Sequence, residues 1–272
     1  MTALRVGDRT RAYTLVSPEA PRPQAPLVLV FHGSNQNGAK MRAASGFDAL
    51  AADAFVAYLD GYRGHWNDAR KSAVFAARKE DVDDVGFAEA VVEDARAQHD
   101  IGPVHAAGYS NGGQMVIRLI HQTPHLLTGA VVLSATQPLP ENFAIEGGPA
   151  VLPVLLFHGT RDPLVPYLGG PASLWGFRPR GDGMSAPDTA EYYARHNGIT
   201  TEPTVTRTEG RLPVVRTDYR QAGKPPVTLF TVEGGGHVIP GPGRMPLILG
   251  RTTRELVAAD EISRFFDLAH TS

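Results

Sequence analysis

Val104-His105-Ala106-Ala107-Gly108-Tyr109-Ser110-Asn111-Gly112-Gly113-Gln114-Met115-Val116-Ile117-Arg118-Leu119-Ile120 is the stretch on which the fold turns. Its first six residues read as a buried strand, and Gly112 to Ile120 reads as a helix. Ser110 therefore falls at a strand-to-helix turn, with a glycine two residues before it and another two after. Small residues there let the backbone approach closely while the hydroxyl stands clear, and the helix N-terminus beneath favours developing negative charge. With 29 Gly in 272 residues, Gly-x-Ser-x-Gly is weak by itself, and a Gly-rich turn with a serine N-cap is the competing reading. The flanking elements favour a nucleophile elbow.

Outward from this turn, Leu27 to Phe31, Phe55 to Leu59, Gly129 to Leu133, Val154 to Phe157 and Val227 to Val232 are short apolar runs of the buried-strand type. Arg11 to Val16 alternates polar and apolar residues and reads as a half-exposed edge strand. Helical stretches separate most of the runs. The clearest covers about Asp83 to Gln98, with Val85, Ala88, Val91, Val92 and Ala95 as its apolar stripe; another covers about Asp260 to Leu268. Such alternation predicts an α/β protein with a mostly parallel central sheet and helices on both faces. One domain is expected over 1–272. Pro18 to Pro26 reads as a connector, and the Gly- and Pro-rich span from Pro163 to Pro187, with Trp175 and Phe177, as a long loop or small lid walling a substrate site.

The net charge of -2 and pI near 6.6 leave no basic footprint, so neither nucleic acid nor an anionic membrane is an expected partner. The chain has no cysteine, which excludes disulfides, thiolate nucleophiles and zinc–thiolate sites. Neither a His-Glu-x-x-His pattern nor a calcium-loop, dinucleotide or P-loop fingerprint is present, so no metal and no cofactor are expected. Met1 to Arg9 lacks the apolar run of a signal peptide and no 18-residue apolar stretch follows, which reads as cytoplasmic, or as secreted if a signal has been removed.

Two further motifs follow Ser110: His158-Gly159-Thr160-Arg161-Asp162-Pro163 after one strand, and Gly234-Gly235-Gly236-His237 after another. The order is Ser, Asp, His. A serine hydroxyl attacks a carbonyl when an imidazole takes its proton and a carboxylate holds that imidazole in the right tautomer. Ser110, Asp162 and His237 are the candidates. Asp60, Asp68 and Asp188 compete less well as the acid, the first two because they precede Ser110, while His158, His32 and His65 compete less well as bases, the first two of these reading as strand-end residues. Phe31-His32-Gly33-Ser34-Asn35-Gln36-Asn37-Gly38 ends an early strand in a polar loop, and the backbone N–H groups of Ser34 and Asn111 are the candidate oxyanion hole.

These residues, taken with Ser45-Gly46-Phe47-Asp48-Ala49-Leu50-Ala51, Trp66-Asn67, Asp83-Asp84-Val85-Gly86-Phe87 and Leu164-Val165-Pro166-Tyr167, resemble the α/β-hydrolase fold and, within it, the polyhydroxybutyrate depolymerase and feruloyl esterase group. The resemblance spans nearly the whole chain. It implies a serine esterase with Ser110 as nucleophile, Asp162 as orienting acid and His237 as base, acting on a small-molecule or oligomeric ester. Tyr109, Trp66, Trp175 and Ile239 are candidates for the substrate pocket. Two departures leave the substrate open: Ile239 stands where members of that group commonly have a tryptophan, and the cysteines that staple many of them are absent. A peptidase of the same fold and a catalytically silent polymer-binding relative are the rival readings.

Overall fold

The computed structural model describes residues 1–173, 179–243 and 245–269. Its strands are β1 (Thr2–Val6), β2 (Arg9–Val16), β3 (Ala25–Phe31), β4 (Phe55–Leu59), β5 (Ile101–Tyr109), β6 (Gly129–Leu133), β7 (Val154–Gly159), β8 (Gly170–Pro171), β9 (Asp182–Gly183), β10 (Thr204–Thr208), β11 (Val214–Tyr219) and β12 (Val227–Val232). Its helices are α1 (Gly38–Ser45), α2 (Ala76–Lys79), α3 (Asp84–Gln98), α4 (Asn111–Gln122), α5 (Ala186–His196) and α6 (Ala258–Phe266). All strands but β8 and β9 join one sheet in the order β1-β2-β4-β3-β5-β6-β7-β12-β11-β10. From β4 to β12 the pairing is parallel, and both flanks are antiparallel.

β3 shows why the central strands are largely apolar. Leu27, Leu29 and Phe31 point into the core beneath α3, α4 and α5, whereas Val28 and Val30 point into the opposite core with α1, the 3-10 helix Phe47–Ala52 and α6. Side chains of a strand alternate between faces, so a strand covered on both sides needs apolar residues at every position. Helices lie on both faces, as the sequence pattern requires.

Several elements differ from the sequence reading. β2 is not an edge strand, because β1 pairs along it after a tight turn at Gly7 and Asp8, Gly7 having a φ of +57°. β10 carried no apolar signal to read, since all five of its residues are exposed. α5 begins inside the span read as a loop: Ser185 caps it by accepting from the N–H of Asp188 at 3.0 Å, with Pro187 in its first turn. Elsewhere in that span Gly170–Pro171 and Asp182–Gly183 pair as the short β8–β9 ribbon, joined to the body where the N–H of Met184 donates to the Gln137 carbonyl at 2.8 Å. Trp175 and Phe177 lie outside the described residues. α6 stops at Phe266, where Asp267 takes a φ of +54°.

Among the described residues no helix is long and apolar enough to cross a membrane. The parallel strands β3, β5, β7 and β12 end at the same edge of the sheet, and the loops leaving them carry Ser34, Ser110, Asp162 and His237. Open α/β sheets assemble their sites at this carboxyl edge.

Three buried imidazoles give the fold a pH dependence. Burial lowers His32, His105 and His121 to about 4. Between about pH 6.5 and 4 the unfolded chain takes up protons there that the folded protein excludes, so stability falls as pH falls through that window. The urea midpoint is expected to be lower at about pH 5 than at about pH 7; an equal or higher midpoint at the lower pH contradicts the neutral, buried assignment.

Candidate active site

Ser110 occupies a backbone conformation that few residues adopt, with φ +56° and ψ −114°. Its N–H donates to the Leu133 carbonyl at 2.8 Å, and α4 starts at the next residue. The flanking glycines are required by contact. A Cβ on Gly112 would lie 2.1 Å from the Phe31 carbonyl oxygen, and one on Gly108 would lie 2.2 Å from that of Gly112. Close packing of β3, β5 and the first turn of α4 thus holds the turn in a geometry costing about 1–3 kcal/mol.

The loop after β7 carries Asp162. Its Oδ1 accepts the backbone N–H groups of Leu164 and Val165, each at 2.8 Å, and its Oδ2 accepts from His237 Nδ1 at 2.7 Å. Burial alone would raise this carboxyl, but the imidazoles of His237 and His158 and the donated N–H groups hold it below its ordinary range. An ionised Asp162 is an acceptor only. The proton between the two groups therefore sits on Nδ1, leaving the lone pair of His237 Nε2 towards Ser110 Oγ, 2.8 Å away.

His237 follows β12, and its backbone is pinned on both sides. Its N–H donates to the Leu249 carbonyl, and its own carbonyl accepts the Tyr109 hydroxyl, both at 2.7 Å. Tyr109 immediately precedes Ser110, so one dipeptide presents the hydroxyl and anchors the loop of the facing imidazole. The two rings lie 5.2 Å apart.

The competing residues have other partners. Asp60 accepts the N–H of Gly38, Asp68 pairs with Arg70, and Asp188 lies in the first turn of α5. His158 is buried and pushed towards its neutral form; its Nε2 donates to the Val165 carbonyl at 2.9 Å and braces the Asp162 loop. His32 Nε2 accepts the N–H of Gly61 at 2.9 Å, so its proton is on Nδ1, which donates to the Gly33 carbonyl at 2.7 Å. His65 stacks on Phe75 with ring centroids 4.1 Å apart.

The loop after β3 lies beside Ser110, since a Cβ built on Gly33 would be 3.5 Å from the Ser110 Cβ. The backbone N–H groups of Ser34 and Asn111 donate to no acceptor among the described residues. The Asn111 side chain points elsewhere: it accepts the Trp66 N–H at 3.0 Å and donates to Asp68 at 2.6 Å.

Three of the four pocket candidates are interior. Trp66 is 0% exposed and its Nε1 donates to the His32 carbonyl at 2.8 Å, Tyr109 is the anchor described above, and Ile239 is packed into the core under α6. An aromatic residue near a motif is as often there to hold it as to face a ligand. Trp175 lies outside the described residues. The narrow cleft that reaches Ser110 is instead lined by Arg70, Gln114, Ala135, Val165 and Arg180, among others. Sequence reasoning singled out none of these. Gln114 was within reach, being four residues after Ser110 and so one helical turn above it; Arg70 and Arg180 carried no signal.

Among the described residues no cluster of three or more His, Asp or Glu is arranged to hold a metal ion. The chain is similar to known proteins at three levels. A family model described as phospholipase/carboxylesterase matches residues 87–173. The chain is 34% identical to the candidate esterase NocK of Nocardia uniformis subsp. tsuyamanensis, over 94% of this chain and 78% of that one. It is 30% identical to feruloyl esterase B of Piromyces equi, over 81% of this chain and 41% of the relative. Among solved structures, acetyl xylan esterase from Aspergillus awamori superposes with a TM-score of 0.61 at 12% identity, covering 94% and 93% of the two chains.

Gly112→Ala forces a Cβ into the Phe31 carbonyl. Its unfolding free energy is expected to fall by more than about 2 kcal/mol, measured by urea titration. Tyr109→Phe leaves the buried His237 carbonyl without its donor, a loss of about 1–3 kcal/mol. It is also expected to lower kcat about ten- to hundredfold through misplacement of the imidazole; unchanged kinetics would show that the anchor does not position His237.

Proposed function

Because this chain belongs to the α/β-hydrolase esterases, we propose that it hydrolyses carboxylic esters through an acyl-enzyme on Ser110. The observation that carries the proposal is the series Ser110 Oγ, His237 Nε2, His237 Nδ1, Asp162 Oδ2, with separations of 2.8 and 2.7 Å across its two hydrogen bonds. Both lie within hydrogen-bond reach for a nucleophile, its base and the group that orients the base.

In this mechanism Ser110 Oγ attacks the ester carbonyl carbon as its proton passes to His237 Nε2. The imidazolium so formed is stabilised by the Asp162 carboxylate across the 2.7 Å bond. Negative charge gathers on the former carbonyl oxygen, which the backbone N–H groups of Ser34 and Asn111 receive; each such donor contributes about 3 kcal/mol to the transition state. Collapse of the tetrahedral species breaks the bond to the alkoxy oxygen, and His237 returns its proton to that oxygen as the alcohol leaves. Water, deprotonated by the same imidazole, then attacks the acyl-enzyme and releases the acid and a free Ser110.

The substrate proposed is a small or oligomeric ester. The feruloyl specificity in the name of the Piromyces relative is not carried over, because the match spans only 41% of that relative.

Ser110→Ala is expected to lower kcat for p-nitrophenyl acetate by about 10⁴-fold or more with an unaltered urea midpoint. Asp162→Asn is expected to lower it by roughly 10³- to 10⁴-fold through loss of the productive tautomer. Hydrolysis that survives Ser110→Ala contradicts the assignment.

A further inference from the structure

Asp68, Asp84, Arg11 and Arg70 are charged residues buried outside the triad, none more than 5% exposed. Taking paired charges out of water gains little net stability, so their use lies in what they hold. All four meet one stretch of the loop after β4, residues 60–70. Asp68 takes the Arg70 guanidinium, with Nε donating to Oδ1 at 3.2 Å and Nη2 to Oδ2. Arg11 Nη2 donates to Asp84 Oδ1 at 2.7 Å and to the Asp60 carbonyl at 3.1 Å. Asp84 Oδ2 accepts the N–H of Asn67 at 2.7 Å, while Arg118, from α4, donates to the Asn67 carbonyl at 2.6 Å. The peptide groups on both sides of Asn67 are therefore fixed by charged partners.

The stretch so fixed touches the elements of both candidate oxyanion donors. Its first half holds the loop of Ser34 on each side of that residue. The Trp66 indole Nε1 donates to the His32 carbonyl at 2.8 Å, the N–H of Gly61 donates to His32 Nε2 at 2.9 Å, and the N–H of Asn35 donates to the Gly64 carbonyl at 2.9 Å. Its second half holds the first turn of α4. Asn111 Oδ1 accepts the Trp66 N–H at 3.0 Å, Asn111 Nδ2 donates to Asp68 Oδ2 at 2.6 Å, and the N–H of Ala69 donates to the Gln114 carbonyl at 3.3 Å. Trp66 belongs to both halves, its indole bonded to one donor's loop and its backbone to the other donor's side chain.

We propose, on the reading of Ser110 as nucleophile with the Ser34 and Asn111 N–H groups as donors, that Trp66 and Asp68 are positioning residues of the oxyanion hole. Residues 61–69 form a clamp that sets the spacing of the two N–H groups. Trp66 and Asp68 are both 0% exposed, so they act through the Ser34 loop and Asn111 rather than on the substrate. A donor stabilises the transition state only when it lies about 2.7–3.1 Å from where the oxyanion will be. Misplacement by about 1 Å costs about 10²-fold in rate. A clamp pinned by buried charges keeps both donors within that tolerance.

The test follows ethanol release from ethyl acetate and from ethyl thionoacetate, in which sulfur replaces the carbonyl oxygen. Sulfur is a weak acceptor, so the thiono ester gains little from the two donors while using the same Ser110 and His237. Trp66→Phe keeps a ring against Phe31 and His32 but removes the indole N–H, and Asn111→Ala removes the bonds to Trp66 and Asp68 but keeps the backbone donor. Each is expected to lower kcat for ethyl acetate about ten- to hundredfold, with KM changed by less than about threefold and the thiono ester slowed by less than about threefold. Equal slowing of both esters in a variant that folds by its urea transition, or no slowing of ethyl acetate, overturns the proposal; should Asn111→Ala not fold, Trp66→Phe decides alone. A wild type that cleaves p-nitrophenyl acetate yet separates the two esters no better than hydroxide ion does overturns the proposal while leaving the nucleophile in place. A wild type that cleaves none of the three esters overturns the nucleophile reading, and the clamp with it.

Discussion

The backbone of Ser110 is the constraint around which the site is arranged. A non-glycine residue at φ +56° and ψ −114° persists only where its surroundings leave it no alternative, and here they are the Phe31 carbonyl, the Leu133 carbonyl and the first turn of α4. Three neighbouring parallel strands, β3, β5 and β6, supply those contacts, so the strain of one residue is balanced by the packing of the sheet centre. The same turn aims the hydroxyl out of the sheet edge and leaves the N-terminus of α4 beneath it.

Around that turn, partners are placed by buried polar contacts more than by apolar ones. Tyr109 ties the His237 loop to the end of β5, His158 braces the loop of Asp162, and neutral His32 links the loop after β3 to Gly61. Each of these bonds is short-range and satisfied, and inside a low-dielectric interior each is costly to break. The result is a histidine whose tautomer follows from a carboxylate kept ionised by its donors. Asp68 organises the other side, holding Arg70 and Asn111 at once and so joining the cleft wall to the first residue of α4.

Much of this was legible in the chain. Leu27 to Phe31 is apolar at every position, and Val227 to Val232 at all but Thr228 and Thr231, because both faces of the strands are covered, and Gly108 and Gly112 bracket Ser110 because backbone passes within contact of each. β1 and β10 were not, since an exposed edge strand buries too little to impose a pattern, and the two-residue strands of the β8–β9 ribbon are too short to show a period. Trp66 and Ile239 read as pocket residues from their place near motifs, whereas their side chains fill the interior. Arg70 and Arg180 lie 110 residues apart in the chain, and only the folded sheet brings both to Ser110. Local pattern carries a turn or a covered strand; it does not carry the meeting of two distant loops.

The central claim is that an acyl group resides covalently on one serine between two half-reactions. Rapid acid quench of the wild-type protein with p-nitrophenyl acetate, followed by peptide mass spectrometry, tests it most directly. The account predicts the mass of a single acetyl group on the peptide that contains Ser110, with fragmentation placing it on that residue. Turnover of the ester with no acylated peptide, or with the acetyl group on another residue, would contradict it.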